Sequence, residues 1–107
     1  MKEKTIENSI KKYLKDNNIY YFKVHGGYYG VSGVPDIIVC YKGRFVALEI
    51  KNEKGKTSKM QDMHIENIRK SGGIAFVVRS REEVKKIIED IETVWVSKWI
   101  LWLCKRK

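Results

Sequence analysis

The sequence has little of the residue types that mark several classes of protein. It contains one proline and two cysteines in 107 residues, and Cys40 and Cys104 lie far apart with no Cys-x-x-Cys pair. This pattern argues against a disulfide framework and a cysteine zinc module, and it suits a reducing cytoplasm. Cys40 falls within an apolar run, so we expect it to be a small buried hydrophobic side chain.

Long hydrophobic runs are also lacking. The longest apolar stretch, residues 94–104, has about half the length of a membrane-spanning helix and contains Lys98. The first residues, MKEKTIENSIKK, have no apolar core segment and so do not match a secretory signal. We therefore expect a cytoplasmic protein with no membrane partner.

Acidic residues are too few to balance the basic ones. The chain has 22 Lys and Arg against 13 Asp and Glu, a formal net charge of +9. Such an excess favours a polyanionic partner, and nucleic acid is the first candidate. The length fits a single domain over residues 1–107, and 43% hydrophobic residues are enough to build a core.

The spacing of apolar residues predicts an α/β domain. Ile6, Ile10 and Leu14 recur at helical spacing near the N-terminus. After this helix the patterns predict a strand over 19–24, a hairpin within 34–53, a helix over 58–73, a strand over 74–79 and a helix over 80–92. The order α-β-β-β-α-β-α indicates a mixed β-sheet flanked by helices on both faces, with a parallel crossover within 45–78.

The hairpin segment VPDIIVCYKGRFVALEIKNE places three charges in the most strand-like part of the chain. A two-residue turn at Lys42-Gly43 sets a register in which Asp36 lies directly opposite Glu49. Lys51 is two residues beyond Glu49 and therefore shares its face. The three charges are thus predicted to converge at one end of the sheet.

Two carboxylates held this close repel each other, and without compensation one of them stays protonated. A divalent cation removes the conflict, and carboxylate oxygens suit magnesium or manganese. Lys51 adds a charge that can orient a water or stabilise a developing phosphate charge. The simpler alternative is a turn residue at Asp36 beside a Glu49–Lys51 ion pair, because Glu-x-Lys is common and recurs at Glu83-Val84-Lys85.

The ordered set of motifs resembles the PD-(D/E)XK nuclease superfamily and, more narrowly, the VRR-NUC domain, a virus-type replication and repair nuclease. The set comprises Gly33-Val34-Pro35-Asp36, then Glu49-Ile50-Lys51, a basic loop, a helix that carries Gln61, and GGIAFVVRS. The resemblance covers roughly residues 5–91 and matches the stand-alone phage and bacterial form. It implies a restriction-endonuclease-like fold and a Mg²⁺- or Mn²⁺-dependent endodeoxyribonuclease.

The resemblance also implies roles for individual residues. Asp36 and Glu49 would be metal ligands together with the Ile50 carbonyl, and Lys51 would position or activate the attacking water. Relatives of this kind often carry a further Glu on the first helix, where Glu7 matches and Glu3 is the alternative. Glu7 would then be a further metal ligand, and the site would hold one or two ions.

They also often carry a Gln on the helix that follows the motif, where Gln61 matches. Gln61 has a structural alternative, as the capping-box partner of Ser58. The sequence leaves the catalytic and the capping role open.

The residues that would contact DNA are less sharply defined. Lys54, Lys56 and Lys59 follow the motif, and Lys23, His25 and a glycine-rich loop over 25–33 precede it on the other side. Tyr28 and Tyr29 in that loop could stack on bases or fill a strand junction. Solvated lysines and a packed tyrosine pair are the structural alternatives.

The aromatic segment 94–104 is the part least explained by the motifs. It carries Trp95, Trp99 and Trp102, which fall on one side if the segment is helical. The segment could complete the core, or it could form a homodimer interface. The terminal residues 105–107, KRK, could then touch DNA.

A homodimer would suit branched DNA such as a Holliday junction, since stand-alone members resemble dimeric junction resolvases. The alternatives are a nuclease for flaps, nicks or linear DNA, and a basic nucleic-acid-binding module without chemistry.

Overall fold

The computed structural model describes residues 1–25 and 32–105, with side chains described as far as Trp95. The helices and strands follow the predicted order, and the α/β class is confirmed. They are α1 (Glu3–Asp16), β1 (Tyr20–Lys23), β2 (Ile37–Tyr41), β3 (Arg44–Ile50), α2 (Lys59–Lys70), β4 (Ile74–Val78) and α3 (Arg81–Lys105).

The four strands form one mixed sheet in the order β1-β2-β3-β4. The first three strands are antiparallel, and β4 runs parallel to β3 after the crossover through α2. The turn between β2 and β3 has positive φ at both Lys42 (50°) and Gly43 (75°), as a tight hairpin turn requires. Tyr41 pairs with Arg44 and Ile37 with Leu48, so the predicted register of the hairpin is confirmed.

The larger core lies between one face of the sheet and helices α1 and α3. The sheet contributes alternate residues of β2 and β3, and each helix contributes its apolar stripe. Its buried members include Ile6, Ile10, Leu14, Ile37, Val39, Val46, Leu48, Ile50, Val78, Val84, Ile88 and Ile91. This face rigidly positions the strand ends that carry the predicted site.

The opposite face is covered only in part. Helix α2 packs on β3 and β4, where Ala47, Ile65 and Ala75 form a small second core. Cys40 is exposed, so its predicted burial is wrong. It faces the α2 side of the sheet but lies on β2, and Phe45 beside it is also about half exposed.

Helix α3 is longer than predicted, because the predicted helix ends at residue 92 whereas α3 continues to Lys105. Its start is as expected, since Ser80 Oγ accepts a hydrogen bond from the Glu83 N–H at 3.2 Å. The aromatic segment 94–104 continues the helix because it contains neither Pro nor Gly. Within 1–25 and 32–105, no helix is long and apolar enough to cross a membrane.

Candidate active site

The three charges of the hairpin meet at one end of the sheet. Glu49 is the second-to-last residue of β3, and Asp36 directly precedes β2, which runs antiparallel to β3. The Ile50 N–H donates a hydrogen bond to Asp36 Oδ2 at 2.7 Å, which ties the two strands together at the site. Lys51 Nζ lies 3.7 Å from Glu49 Oε2, so the predicted convergence is present in the structure.

The Glu49 carboxylate is the most deeply buried charge of this site. The residue is 2% exposed, and its Oε2 accepts a hydrogen bond from Gln61 Nε2 at 3.2 Å. Its Oε1 is buried and has no hydrogen-bond partner among the described residues. Burial first, and the neighbouring Asp36 second, raise the pKa of Glu49 to about 8, although Lys51 opposes the shift. Ionised Glu49 therefore lacks sufficient compensation from the protein alone.

Gln61 forms the predicted capping box and also contacts Glu49, one of the two predicted carboxylate ligands. Its side-chain Oε1 accepts the Ser58 N–H at 2.9 Å, and its own N–H donates to Ser58 Oγ at 3.2 Å. This reciprocal pair is a capping box at the start of α2. The Gln61 Nε2 remains available and reaches Glu49, so the cap itself aims the amide at the site.

Glu7 is buried beside the site but is surrounded by lysines. Its Oε1 accepts Lys23 Nζ at 2.6 Å, and its Oε2 lies 2.9 Å from Lys11 Nζ and 3.1 Å from Lys4 Nζ. Burial raises the pKa of Glu7, but hydrogen bonds from these lysines outweigh it and bring the pKa down to about 2. The alternative residue, Glu3, is exposed at the start of α1.

Lys23 connects Glu7 to the carboxylate pair. Besides its contact with Glu7, its Nζ lies 3.7 Å from Asp36 Oδ1. Sequence reasoning missed this ion pair. The signal was available, because Lys23 pairs with Ile37 in the antiparallel register, which puts Lys23 next to Asp36.

The residues present fit a divalent cation at Asp36 and Glu49. Glu49 offers a buried oxygen that lacks a partner within the described part of the chain, and Asp36 adds a second carboxylate beside it. Among residues 1–25 and 32–95, no three His, Cys, Asp or Glu side chains form a ready ligand group. A backbone ligand such as the predicted Ile50 carbonyl, or water, would therefore have to complete the coordination.

The basic loop after β3 is held in place by Arg79, which sequence reasoning also missed. One Arg79 guanidinium nitrogen donates to the carbonyls of Asn52 and Gly55, at 2.5 and 2.8 Å. Arg79 directly follows β4, and the ends of parallel neighbours β3 and β4 lie side by side, so its position was a usable signal. The loop between Lys51 and α2 is consequently fixed next to the carboxylates.

The candidate DNA-binding residues lie in two places, in or just after this loop and at the end of β1. The side chains of Lys54, Lys56 and Lys59 are exposed, and His25 is exposed just beyond β1. Lys23 is instead partly buried and engaged in its ion pairs. Tyr28 and Tyr29 lie outside the described residues.

A mixed sheet with helices on both faces and carboxylates at the end of its central hairpin defines the restriction-endonuclease-like class. A solved structure described as a VRR_NUC domain matches with a TM-score of 0.69 and 31% sequence identity, covering 81% of this chain and 94% of that chain. The chain therefore belongs to the VRR_NUC domain family.

Two further structures share the fold. One is described as a VRR_NUC domain protein, with a TM-score of 0.68, 21% identity, and coverage of 83% of this chain and 86% of that chain. The other is Hjc of Archaeoglobus fulgidus, a Holliday junction resolvase. It matches with a TM-score of 0.56 and 20% identity, covering 72% of this chain and 67% of that chain. No protein-family model and no curated protein matches the sequence.

Proposed function

We propose that this chain is a divalent-metal-dependent endodeoxyribonuclease that hydrolyses DNA phosphodiester bonds. The observation that carries the proposal is the buried Glu49 Oε1, which has no partner among the described residues and lies beside Asp36 and Lys51. A structural ion pair would satisfy its own buried oxygens. An under-compensated carboxylate pair at the end of the sheet is instead suited to holding a cation.

Asp36 and Glu49, with the Ile50 carbonyl, would hold Mg²⁺ or Mn²⁺. When bound, such an ion polarises the scissile phosphate and lowers the pKa of a bound water. Gln61 keeps the Glu49 carboxylate in one orientation by holding its Oε2. Lys51 orients the attacking water and offsets negative charge that develops on the phosphate.

The surrounding charge supports a DNA substrate. The net charge is +9, and the exposed Lys54, Lys56 and Lys59 side chains lie on or beside the loop that Arg79 holds. We assign them, with His25, to contacts with backbone phosphates, which position the duplex without reading its sequence.

We further propose that the substrate is branched DNA and that the active form is a homodimer. The fold is shared with an archaeal Holliday junction resolvase, which supports a junction as the first substrate to test. Helix α3 continues to Lys105, and Val94 and Trp95 near its middle are exposed. The segment 94–104 is therefore our candidate for the dimer interface, and two sites would then act on two strands.

The proposal is tested by incubating the full chain with labelled four-way junction, flap, nicked, single-stranded and linear duplex DNA. Each substrate is assayed with Mn²⁺, with Mg²⁺ and with EDTA, for wild type, Asp36→Asn and Lys51→Ala. We expect metal-dependent cleavage by wild type, loss of cleavage in both variants, and the junction as the preferred substrate. Preferred cleavage of flaps, nicks or linear DNA would support the proposed nuclease activity but contradict the junction as its substrate.

The second Glu-x-Lys triplet offers a matched control. Glu83 and Lys85 lie on α3 with exposed side chains, in the same spacing as Glu49 and Lys51. The double variant Glu83→Gln/Lys85→Ala should cut as fast as wild type. If wild-type protein binds DNA but cuts none of the substrates, the nuclease proposal is contradicted, and the chain is a basic nucleic-acid-binding module.

A further inference from the structure

We propose that Lys23 is a permanent internal cation that takes the place of a second metal ion, so that each active site holds a single divalent ion. This inference rests on the proposed nuclease function and concerns the side of the site that faces α1. It changes the role of Glu7, which becomes the anchor of Lys23 rather than a metal ligand.

The position of the Lys23 ammonium is the first support. It lies between two carboxylates, 2.6 Å from Glu7 Oε1 and 3.7 Å from Asp36 Oδ1. A second ion in a two-metal site would sit about 3.5–4 Å from the first and would share a carboxylate with it. Asp36 is the carboxylate available for sharing, and Lys23 Nζ already lies 3.7 Å from its Oδ1, while its Oδ2 accepts the Ile50 N–H.

The second support is that both oxygens of Glu7 are already in ion pairs with lysines. Its Oε1 is engaged by Lys23, and its Oε2 by Lys4 and Lys11. A divalent ion entering here would have to displace Lys23 and approach two further ammonium groups. Most of the repulsion would come from Lys23 and Lys11, whose side chains are 25% and 27% exposed, whereas Lys4 is 70% exposed and screened by water.

The contacts of Lys23 suit this role, because its ammonium meets a carboxylate on each of two sides, Glu7 and Asp36. Its geometry differs from that of Lys51, whose Nζ faces the Glu49 side of the pair.

The number of bound ions tests the inference directly. Calorimetric titration of the full chain with Mn²⁺, without DNA, should give one ion per chain for wild type. Lys23→Met keeps the aliphatic stem but removes the charge, and it should bind two ions. Electron paramagnetic resonance should then show isolated Mn²⁺ in wild type and a spin-coupled pair in Lys23→Met.

Two control variants separate the role of position from that of charge. Lys11→Ala removes a lysine that contacts Glu7 but not Asp36, and it should still bind one ion. Lys23→Arg keeps the cation and should also bind one. Thermal melts by circular dichroism confirm that each variant is folded before its ions are counted.

The possible failures are distinguishable. Two ions in wild type, with one lost on Glu7→Gln, would overturn the inference and restore Glu7 as a ligand while leaving the nuclease intact. A single ion in folded Lys23→Met would also overturn it, since Lys23 would then exclude nothing. If wild type binds no ion, both the proposed metal centre and the role of Lys23 are contradicted.

Discussion

At the scale of single residues, the site depends on one oxygen atom. Glu49 Oε2 is held by Gln61 and faces Lys51, whereas Oε1 is buried without a partner in the described part of the chain. An ionised buried carboxylate with half of its hydrogen-bonding capacity unused destabilises the folded protein. A bound cation would relieve that cost, so binding and stability are linked at this residue.

The first prediction concerns stability against pH in EDTA. The pKa of Glu49 is raised from 4.5 to about 8, so between these values the folded protein binds more protons at this residue than the unfolded chain does. The contribution of Glu49 to the free energy of unfolding therefore falls as pH rises from about 5 to about 8. Urea unfolding at pH 5.5 and 8.5 should show a smaller pH-dependent loss for Glu49→Gln than for wild type.

Adding Mn²⁺ should restore the stability of wild type at pH 8.5 and leave Glu49→Gln nearly unchanged. Equal pH-dependent losses for the two proteins in EDTA would show that Glu49 ionises without cost, and they would contradict the burial argument.

At the scale of helices and strands, the hairpin and its site were the most predictable features. The Lys42-Gly43 turn and the alternation of apolar residues together determine the register, and the register places Asp36 opposite Glu49. These are local signals that a sequence states directly. Lys51 lies at the same strand end because it follows Glu49 by two residues, whereas Gln61 reaches Glu49 from the capping box of α2.

Features that depend on which helix covers which strand were not predictable in the same way. Cys40 lies in an apolar run but is exposed, because α2 covers β3 and β4 rather than β2. The contact of Lys23 with Glu7 required knowing how α1 meets β1, whereas Lys4 and Lys11 lie within one helical turn of Glu7 on α1 itself. The continuation of α3 past residue 92 was missed because the aromatic segment was interpreted as a separate tail.

The cap of α2 gives a prediction that separates the two roles of Gln61. Ser58→Ala removes the Oγ that accepts the Gln61 N–H but keeps the Ser58 N–H that holds the Gln61 side chain. It should cost about 1 kcal/mol of stability, with cleavage nearly unchanged. Gln61→Ala removes the cap partner and also the donor to Glu49, so it should in addition slow cleavage by about 10- to 100-fold.

Urea unfolding and single-turnover cleavage measure the two effects on the same protein samples. If both variants slowed cleavage equally, Gln61 would act through helix stability alone, and its contact with Glu49 would be incidental.

Gly33 provides a second prediction at this scale. It has a φ of +80°, and a Cβ added there would lie 2.7 Å from Met60 Cβ and 2.9 Å from the Met60 carbonyl carbon. Gly33→Ala should therefore push the first turn of α2 away from the strand ends, and it should lower both stability and cleavage.

Gly72→Ala is the matched control. Gly72 also has positive φ (+92°), but a Cβ there would meet open space within the described part of the chain. It should cost only the backbone strain, about 1–2 kcal/mol, with cleavage unchanged. Equal losses for the two variants would contradict the close packing of Gly33 against Met60.

At the scale of the whole molecule, the long helix α3 raises the question of assembly. The helix continues through the segment 94–104, and its Val94 and Trp95 side chains are exposed. Lys42 Nζ lies 4.8 Å from the centre of the Trp95 ring. This cation–π contact joins this part of the helix to the hairpin turn. The side chains beyond Trp95 lie outside those that the structure describes.

The assembly prediction uses that segment. Light scattering coupled to size-exclusion chromatography should show a dimer for wild type and a monomer for Trp99→Lys/Trp102→Lys. Ser97→Lys is the control, because at helical spacing residue 97 lies opposite the side shared by 95, 99 and 102. A monomeric wild type at micromolar concentration would contradict the dimer, and a dimeric double variant would move its interface elsewhere.

The measurement that tests the central claim most directly is single-turnover cleavage of a four-way junction in Mn²⁺ by wild type and Glu49→Gln. The substitution keeps the size of the side chain and an acceptor for the Gln61 amide, but it removes the charge that would bind the metal. The account predicts cleavage by wild type that EDTA abolishes, and a loss of at least about 100-fold in Glu49→Gln. Cleavage by Glu49→Gln at the wild-type rate would contradict the assignment of the active site to the end of this hairpin.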